Sequence, residues 1–291
     1  MSDIFSAALF LPEGPVALPD GNWLVVEGGE RGCVTQISAD GKSRRTVAVT
    51  GSPNGLAVDA SGFIWVAEAK VPSLLRVTLD GKVEAFLTEY RGEPFLYPND
   101  LCFGPDGALY LTDSGITAAD FEPGGIVRSD FETCPIDGRV YRIDVRTKAI
   151  EKIDSGIRFA NGIAFGPDKD LYVNETLTGA VYRYRWKGDG SFGRREIFGN
   201  VWNESTYPTL RGPDGMAFGA DGKLYVAVFG QGDVTVLGTD GQVVQRLRTQ
   251  GNLPTNLAFG LAGQRKLYVT EYQLGQLEMF SVETDGLLLW T

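Results

Sequence analysis

The sequence predicts an all-β fold, a six-bladed β-propeller, from three observations. One phrase recurs six times: a short apolar run, a Gly or Asp-Gly turn, and a second apolar run that ends in an acid in most copies. Equivalent positions in the copies lie 41, 45, 62, 53 and 41 residues apart, a period typical of propeller blades. No segment has the 3.6-residue apolar period of a long helix. These equivalent positions, called the ring positions below, are Glu13, Asn54, Asn99, Asn161, Asp214 and Thr255.

Each copy of the phrase predicts a β-hairpin, because its apolar runs are four to six residues long, rich in Val, Ile, Tyr and Trp, and joined by Asp-Gly or Ser-Gly. Two further strand signals follow each copy, as in the run 74–79 and the run 83–87 around the turn Asp80-Gly81. Four strands per blade result. We expect residues 1–291 to form one domain, with Ile4 to Leu11 completing the last blade, since an open ring would expose a sheet edge.

Two stretches lack the strand and turn pattern of the repeat: Ser114 to Pro135 and Lys187 to Arg211. Long loops in a compact domain often carry function, so we expect these segments to cover a ligand site. The first stretch follows the end of a second strand, which favours a position above one opening of the central channel.

Charge and composition restrict the partners. The chain has 37 acidic and 27 basic residues, a net charge of -10, which argues against binding the phosphates of nucleic acid. No apolar run approaches the roughly 18 to 20 residues of a membrane span, and the opening Met1-Ser2-Asp3 lacks the basic start of a signal peptide. We therefore expect a cytoplasmic protein with a small-molecule substrate and no membrane partner. The oligomeric state stays open.

The chain contains no histidine, which excludes Ser-His-Asp and Cys-His nucleophilic catalysis and zinc sites built on imidazole. Acid–base chemistry must then use carboxylates, Lys, Tyr or metal-bound water. The three cysteines, Cys33, Cys102 and Cys134, fit no CxxC spacing, and we interpret them as reduced structural thiols.

The ring positions should meet at one opening of the channel. In a meander blade the first strand runs along the channel and the second returns antiparallel, so the start of the first and the end of the second share one end. Carboxylate and amide oxygens converging there suit a hard divalent cation. A water-filled, hydrogen-bonded channel is the alternative. The acids that end the second strands should lie near the same opening, farther from the axis: Glu27, Glu68, Asp113, Glu175 and Glu271.

At these residues the sequence resembles the SMP-30/gluconolactonase/LRE family of six-bladed propellers over nearly the whole chain. The resemblance implies one divalent metal ion, whether Ca, Zn, Mn, Mg or Fe, held by Glu13, Asn161 and Asp214. Asn99 is then either a fourth ligand or a hydrogen-bond donor to the substrate. Many members of the family hydrolyse sugar lactones to aldonic acids. The motifs that carry the resemblance are Pro12-Glu13-Gly14-Pro15, Pro98-Asn99-Asp100-Leu101, Ala160-Asn161-Gly162-Ile163 and Pro213-Asp214-Gly215-Met216.

The chain departs from the family pattern at one position. Sugar lactonases of this kind commonly carry an Arg two residues before the blade-three Asn, and this chain has Tyr97 there. Several aromatic residues near the expected opening indicate a less polar pocket, with packing between blades as the alternative for each. They are Phe95, Tyr97, Phe121, Phe159 and Tyr207.

The expected reaction is hydrolysis of a small cyclic ester to a hydroxy acid. The metal would act as a Lewis acid, and either Asp214 or metal hydroxide would serve as the base. Asn99 and Tyr97 would bind the substrate. Three alternatives remain: a phosphotriesterase-like hydrolase, a metal-dependent isomerase or cyclase, and a non-enzymatic propeller that binds a protein partner.

Overall fold

The computed structural model describes residues 2–188, 190–203 and 210–290. These residues form six four-stranded antiparallel sheets arranged as a ring of blades, which confirms the six-bladed β-propeller. In each of blades 1 to 5, four consecutive strands make the sheet, while blade 6 takes one strand from the beginning of the chain.

The strand bounds follow the six copies of the repeat. The first strand of the chain is β1 (Asp3–Ser6). Blades 1 to 3 contain β2 (Pro12–Ala17), β3 (Trp23–Glu27), β4 (Cys33–Ile37), β5 (Arg44–Val49), β6 (Pro53–Val58), β7 (Ile64–Glu68), β8 (Ser73–Val77), β9 (Val83–Leu87), the small hairpin β10 (Glu89–Tyr90) and β11 (Glu93–Pro94), β12 (Pro98–Phe103), β13 (Leu109–Asp113), β14 (Gly138–Ile143) and β15 (Ile150–Ile157). Blades 4 to 6 contain β16 (Ala160–Phe165), β17 (Leu171–Glu175), β18 (Ala180–Tyr184), β19 (Glu196–Asn200), β20 (Gly212–Phe218), β21 (Leu224–Phe229), β22 (Asp233–Leu237), β23 (Val243–Arg248), β24 (Pro254–Phe259), β25 (Lys266–Glu271) and β26 (Gln276–Ser281).

Helical structure in the described residues is limited to short turns. The helix α1 (Ala118–Phe121) lies in the first non-repeat stretch and begins at Thr117, whose hydroxyl accepts a hydrogen bond from the backbone N–H of Asp120. Two 3-10 turns cover Pro123–Gly125 and Thr176–Thr178. Within the same part of the chain, no helix has the length and apolar character to cross a membrane.

The ring is closed by β1, which pairs antiparallel with β26 and places Asp3 opposite Met279. The predicted closing segment, Ile4 to Leu11, is therefore only partly a strand: the strand covers Asp3–Ser6, and the residues that follow lead into blade 1. Leu9 ties this connection to the last blade, since its N–H donates to the carbonyl of Gly275 at 2.8 Å. Closure thus joins the two ends of the described chain within one sheet.

The second strand of each blade is buried on both faces because it sends alternate side chains to the two neighbouring blades. In β7, Ile64 and Val66 pack toward blade 1, whereas Trp65 and Ala67 pack toward blade 3. The second strands therefore read as continuous apolar runs rather than as an alternation of apolar and polar residues. The cysteines are unpaired; Cys33 and Cys134 are buried and Cys102 is partly buried.

A β-bulge interrupts the first strand of every blade at the ring position. In blade 3 the register passes from Pro98 opposite Asp113 to Leu101 opposite Leu111, so three steps on one strand face two on its partner. The same shift occurs in blades 2, 4, 5 and 6, and in blade 1 it lies one residue later, between Glu13 and Val16. A bulge re-aims side chains, and here Asn99 lines the cavity at the channel mouth while Asp100, which follows it, is also buried.

Closure by β1 predicts a measurable stability effect. Phe5 packs edge-on against Trp23 of blade 1 and Tyr268 of blade 6, with ring centroids 6.3 and 5.0 Å away. We expect Phe5→Ala to lower the free energy of unfolding by about 3 kcal/mol, because it removes the ring of the closing strand from its contacts with both blades, while Trp23 and Tyr268 keep their direct contact. Chemical denaturation measures the change. Phe10→Ala, at a ring that is 39% exposed, is the matched control and should cost less than about 1 kcal/mol. Equal losses in the two variants would contradict a special role for the closing strand.

Candidate functional site

All six ring positions line one cavity of about 230 Å³ at the mouth of the channel. Glu13, Asn99, Asn161 and Asp214 are therefore brought together from four different blades, and Tyr97 lies in the wall beside them. The bulges described above aim these side chains inward. Repetition of one local geometry thus assembles a site from residues that are far apart in the sequence.

The acids that end the second strands hold the ring in place. Asp113 accepts hydrogen bonds from the backbone N–H groups of Leu96 (2.7 Å), Tyr97 (3.1 Å) and Gly115 (2.9 Å). We call this arrangement the carboxylate clamp. Blade 5 has Val228 at the equivalent place, opposite Pro213. The other clamps join Glu27 to the N–H of Phe10, Glu68 to Ser52, Glu175 to Arg158 and Glu271 to Leu253, at 2.6 to 2.9 Å.

The two ring carboxylates are buried close to each other. Burial raises the pKa of Glu13 well above its usual range, and the negative charge of Asp214 raises it further. Burial also raises the pKa of Asp214, with a smaller contribution from Asp100, while a hydrogen bond from Asn161 opposes the rise. No Lys or Arg belongs to the described lining of the cavity. Two carboxylates are thus held together with no protein cation among the described residues to neutralise them.

The amide oxygens complete an oxygen-rich set. Asn99 Nδ2 donates to Ser114 Oγ at 3.0 Å, and Asn99 Oδ1 is buried without a hydrogen-bond partner. Buried amide oxygens are normally paired, so an unpaired one beside two carboxylates fits a cation as its partner. No group of three His, Cys, Asp or Glu side chains in the described ranges could hold a metal. The donors here are instead two carboxylates and two amides, and that set fits a hard divalent ion.

A second polar layer lies directly beneath the ring. Of the six residues that follow the ring positions, four are Gly, and the other two are Asp100 and Asn256, on opposite blades. Asn256 Nδ2 donates to Glu13 Oε2 at 3.1 Å and also hydrogen-bonds Asp100. Burial raises the pKa of Asp100 to about 6, against the opposing effect of these hydrogen bonds. A Cβ added at Gly215 would lie 2.0 Å from Asn256 Cγ, so this glycine makes room for the bridging amide.

The first non-repeat stretch covers the cavity, as its position in the repeat indicates. Glu122 and Val127 line the cavity, and Phe121 packs behind them against Phe159. The segment is also tied down from blade 4, since Arg158 donates to the carbonyl of Glu132 at 2.8 Å. Burial raises the pKa of Glu122, whose carboxylate forms no hydrogen bond or ion pair with the described residues.

The aromatic residues named in the sequence analysis lie at different distances from the cavity. Tyr97 and Phe159 line the cavity, whereas Phe121 packs one layer behind it. For Phe95 the alternative, packing between blades, is confirmed: its side chain is buried between blades 2 and 3 against Tyr141. Tyr207 lies outside the described residues.

Sequence reasoning missed several residues of the lining. Three of them occupy one place in the repeat, directly after the position of the clamp acid: Thr176, Phe229 and Tyr272. That place could have been found by aligning the six copies of the repeat one residue beyond the position of the clamp acid. Glu122 had no such signal, because it lies in a stretch outside the repeat. Burial raises the pKa of Tyr272 to about 12, and the charge of Glu122 adds to the rise.

Comparisons with known proteins agree with the geometry. The family model described as SMP-30/Gluconolactonase/LRE-like region matches residues 11–273. A gluconolactonase from Zymomonas mobilis is 25% identical over 283 residues, which cover 90% of this chain and 76% of that protein. The diisopropyl-fluorophosphatase of Loligo vulgaris is 27% identical over 295 residues, covering 94% and 90%. A solved structure of a gluconolactonase from Xanthomonas campestris superposes with a TM-score of 0.79 at 25% identity, over 98% of this chain and 89% of that one.

The carboxylate clamp predicts a specific loss of stability. Asp113→Asn replaces an acceptor of three backbone N–H groups by an amide that can accept at only one oxygen. We expect the free energy of unfolding to fall by about 3 kcal/mol, because buried donors lose charge-assisted partners. Asp240→Asn is the control, since this exposed side chain accepts from the N–H of Gln242 at 3.1 Å in a surface turn. Its cost should stay below about 1 kcal/mol. A fall of that small size for Asp113→Asn as well would refute the clamp.

Proposed function

The chain belongs to the SMP-30/gluconolactonase/LRE-like family, and on that premise we propose that it is a divalent-metal-dependent lactonase. It would hydrolyse a small cyclic ester to a hydroxy acid. The observation that carries the proposal is the buried, unpaired Oδ1 of Asn99 beside the carboxylates of Glu13 and Asp214. The gluconolactonase relative supports a hydrolase that acts on lactones.

Four side chains would hold the metal: Glu13, Asn99, Asn161 and Asp214. When bound, the metal supplies Lewis acidity toward the lactone carbonyl and neutralises the two carboxylates. Glu13 Oε2 is already engaged by the N–H of Gly14 and by Asn256, which leaves Oε1 to face the cavity. Asn99 likewise has its Nδ2 engaged by Ser114 and its oxygen unpaired.

The chain itself would supply the base. Asp214 is the ring carboxylate that we assign to remove the proton from the attacking water, at a carboxylate oxygen. Burial raises its pKa, whereas a bound metal would lower it, so the two effects oppose each other at this carboxylate. The same oxygen would then return the proton to the ring oxygen of the ester as the bond to the acyl carbon breaks. No histidine is available for this step.

The cavity walls favour an uncharged or weakly polar lactone. Tyr97, Phe159 and Phe229 present aromatic rings, and Val127 adds an aliphatic surface. The volume of about 230 Å³ suits a small ring. Glu122 is the charged side chain of the described roof, so an anionic substituent on the substrate would be repelled there. We therefore propose neutral five- or six-membered lactones as the substrate class, with Tyr97 and Asn99 in contact with the substrate.

A second candidate is hydrolysis of an organophosphate. It is favoured by one observation, the similarity to a diisopropyl-fluorophosphatase over 94% of this chain. A panel that compares lactones with diisopropyl fluorophosphate, before and after chelation, separates the two activities. Rates on the organophosphate that exceed every lactone rate would replace the lactonase assignment.

Replacement of Asp214 tests the base. Asp214→Asn keeps the size and one oxygen donor but removes the charge and the proton acceptor. We expect kcat on the best lactone to fall on the order of 10²-fold or more at saturating metal. The control is Asn54→Ala, at the same place in blade 2 but outside the proposed metal set, which should leave metal binding largely intact. Full activity of Asp214→Asn at saturating metal would remove the carboxylate from the mechanism, and equal collapse of both variants would indicate a generic folding role.

Replacement of Glu122 tests the substrate class. Glu122→Gln removes the roof charge at nearly constant volume, so the rate on an anionic lactone, relative to its neutral counterpart, should rise about tenfold. D-Glucaro-1,4-lactone, which keeps a free carboxylate, and D-glucono-1,4-lactone, which has none, make a suitable pair for the ratio of kcat/KM. Asp130→Asn is the control, because this exposed acid lies in the same segment and pairs with Arg128. An unchanged ratio in Glu122→Gln would show that the roof charge does not select the substrate.

A further inference from the structure

We infer that Ser114 and Thr176 are positioning residues that aim the amide oxygens of Asn99 and Asn161 into the cavity. The inference rests on the proposed metal-dependent function and adds two residues outside the proposed metal-ligand set. Both hydroxyls are buried, and each occupies the place directly after the carboxylate clamp of its blade. Each links the ring residue of its own blade to the backbone of the next blade.

The hydrogen bonds of Ser114 fix which end of Asn99 faces the cavity. Ser114 Oγ lies 3.0 Å from the carbonyl oxygen of Ala160, which can only accept. A hydroxyl has one proton, so once that proton is donated, Ser114 Oγ can only accept from Asn99. The group that faces it at 3.0 Å must therefore be Nδ2, and Oδ1 is turned to the opposite side. This accounts for the buried, unpaired oxygen described above.

Thr176 repeats the arrangement one blade later. Its Oγ1 donates to the carbonyl of Pro213 at 2.9 Å and accepts from Asn161 Nδ2 at 3.1 Å. The proton count again allows only the nitrogen of the amide to face the hydroxyl. Asn161 Oδ1 is left for the cavity. Because Pro213 directly precedes Asp214, this chain of hydrogen bonds also ties Asp214 to Asn161.

Blade 2 provides an internal comparison. Its ring residue is also an asparagine, Asn54, but the residue after its clamp is Ala69. Nothing at that place can hold the amide of Asn54 by a hydroxyl. The equivalent residues in blades 1, 5 and 6 are Gly28, Phe229 and Tyr272, so an aliphatic hydroxyl occurs at this place only in the two blades whose asparagines we assign to the metal.

The orientation matters because the two ends of an amide have opposite polarity. A half-turn of the Asn99 or Asn161 amide would present an NH₂ group to the cation in place of an oxygen ligand. A hydrogen bond that prevents this turn raises metal affinity without contacting the metal. Loss of such an outer partner typically costs 10- to 100-fold in affinity.

The test is calorimetric titration of the full chain, stripped with chelator, with Ca²⁺ and with Mn²⁺ as separate probes. We expect Ser114→Ala and Thr176→Val each to raise the Kd about tenfold or more. Ser114→Thr and Thr176→Ser keep the hydroxyl and should bind within about threefold of the unaltered chain. Melting temperatures without metal identify any variant that fails to fold.

A matched control distinguishes the effect of the Ser114 and Thr176 hydrogen bonds on metal affinity from a general loss of packing. Thr235→Val removes a buried hydroxyl whose partners are Asp233, Arg246 and Gln231, away from the cavity. It should lower the melting temperature and leave the Kd unchanged. An unchanged Kd in Ser114→Ala and Thr176→Val, or an equal loss in the variants that keep the hydroxyl, would overturn the inference. Absence of metal binding by the unaltered chain would instead overturn the proposed function, and the inference with it.

Discussion

The geometry of the mouth depends on the hydrogen bonds between the clamp carboxylates and the backbone that enters each first strand. In five blades an acid at the end of the second strand accepts from a backbone N–H that lies one or two positions before the first strand. These bonds are charge-assisted and buried, which makes them strong and short. They fix where the first strand begins, and the bulge that follows then determines where the ring side chain points. The acids therefore act on the chemistry only through the backbone.

Much of the fold could be predicted because each blade repeats the same local rules. The spacing of the copies located all six ring positions. The side on which Phe95 lies could not be decided from the repeat, because this residue precedes the first strand of blade 3. The layer beneath the ring could not be derived, since it depends on a bulge that turns both Asn99 and Asp100 away from ordinary alternation. The stretch that forms the roof could be predicted from its position, but Glu122 could not, because that stretch has no internal copies for comparison. Its chemistry depends on tertiary packing alone.

Carboxylates lie at both ends of the cavity, in its floor and in its roof. The floor holds Glu13 and Asp214, with Asp100 beneath them, and the roof holds Glu122. Only one divalent cation is proposed between the two, so the described lining keeps a net negative charge. Hydrolysis of a neutral ester produces a carboxylate. Such a product would be repelled from both floor and roof, which would favour its departure over rebinding.

Closure of the ring within one sheet has a consequence for how the chain reaches its fold. Asp3 of β1 pairs with Met279 of β26, so β1 has no partner until β26 has been synthesised. Contacts of such long sequence separation form slowly, because the chain between them must already be ordered. Blades 1 to 5, in contrast, can each assemble from consecutive strands during translation. On the ribosome, β1 would therefore stay unpaired beside a growing stack of blades, at the stage when the edges of both are open to pairing with another chain.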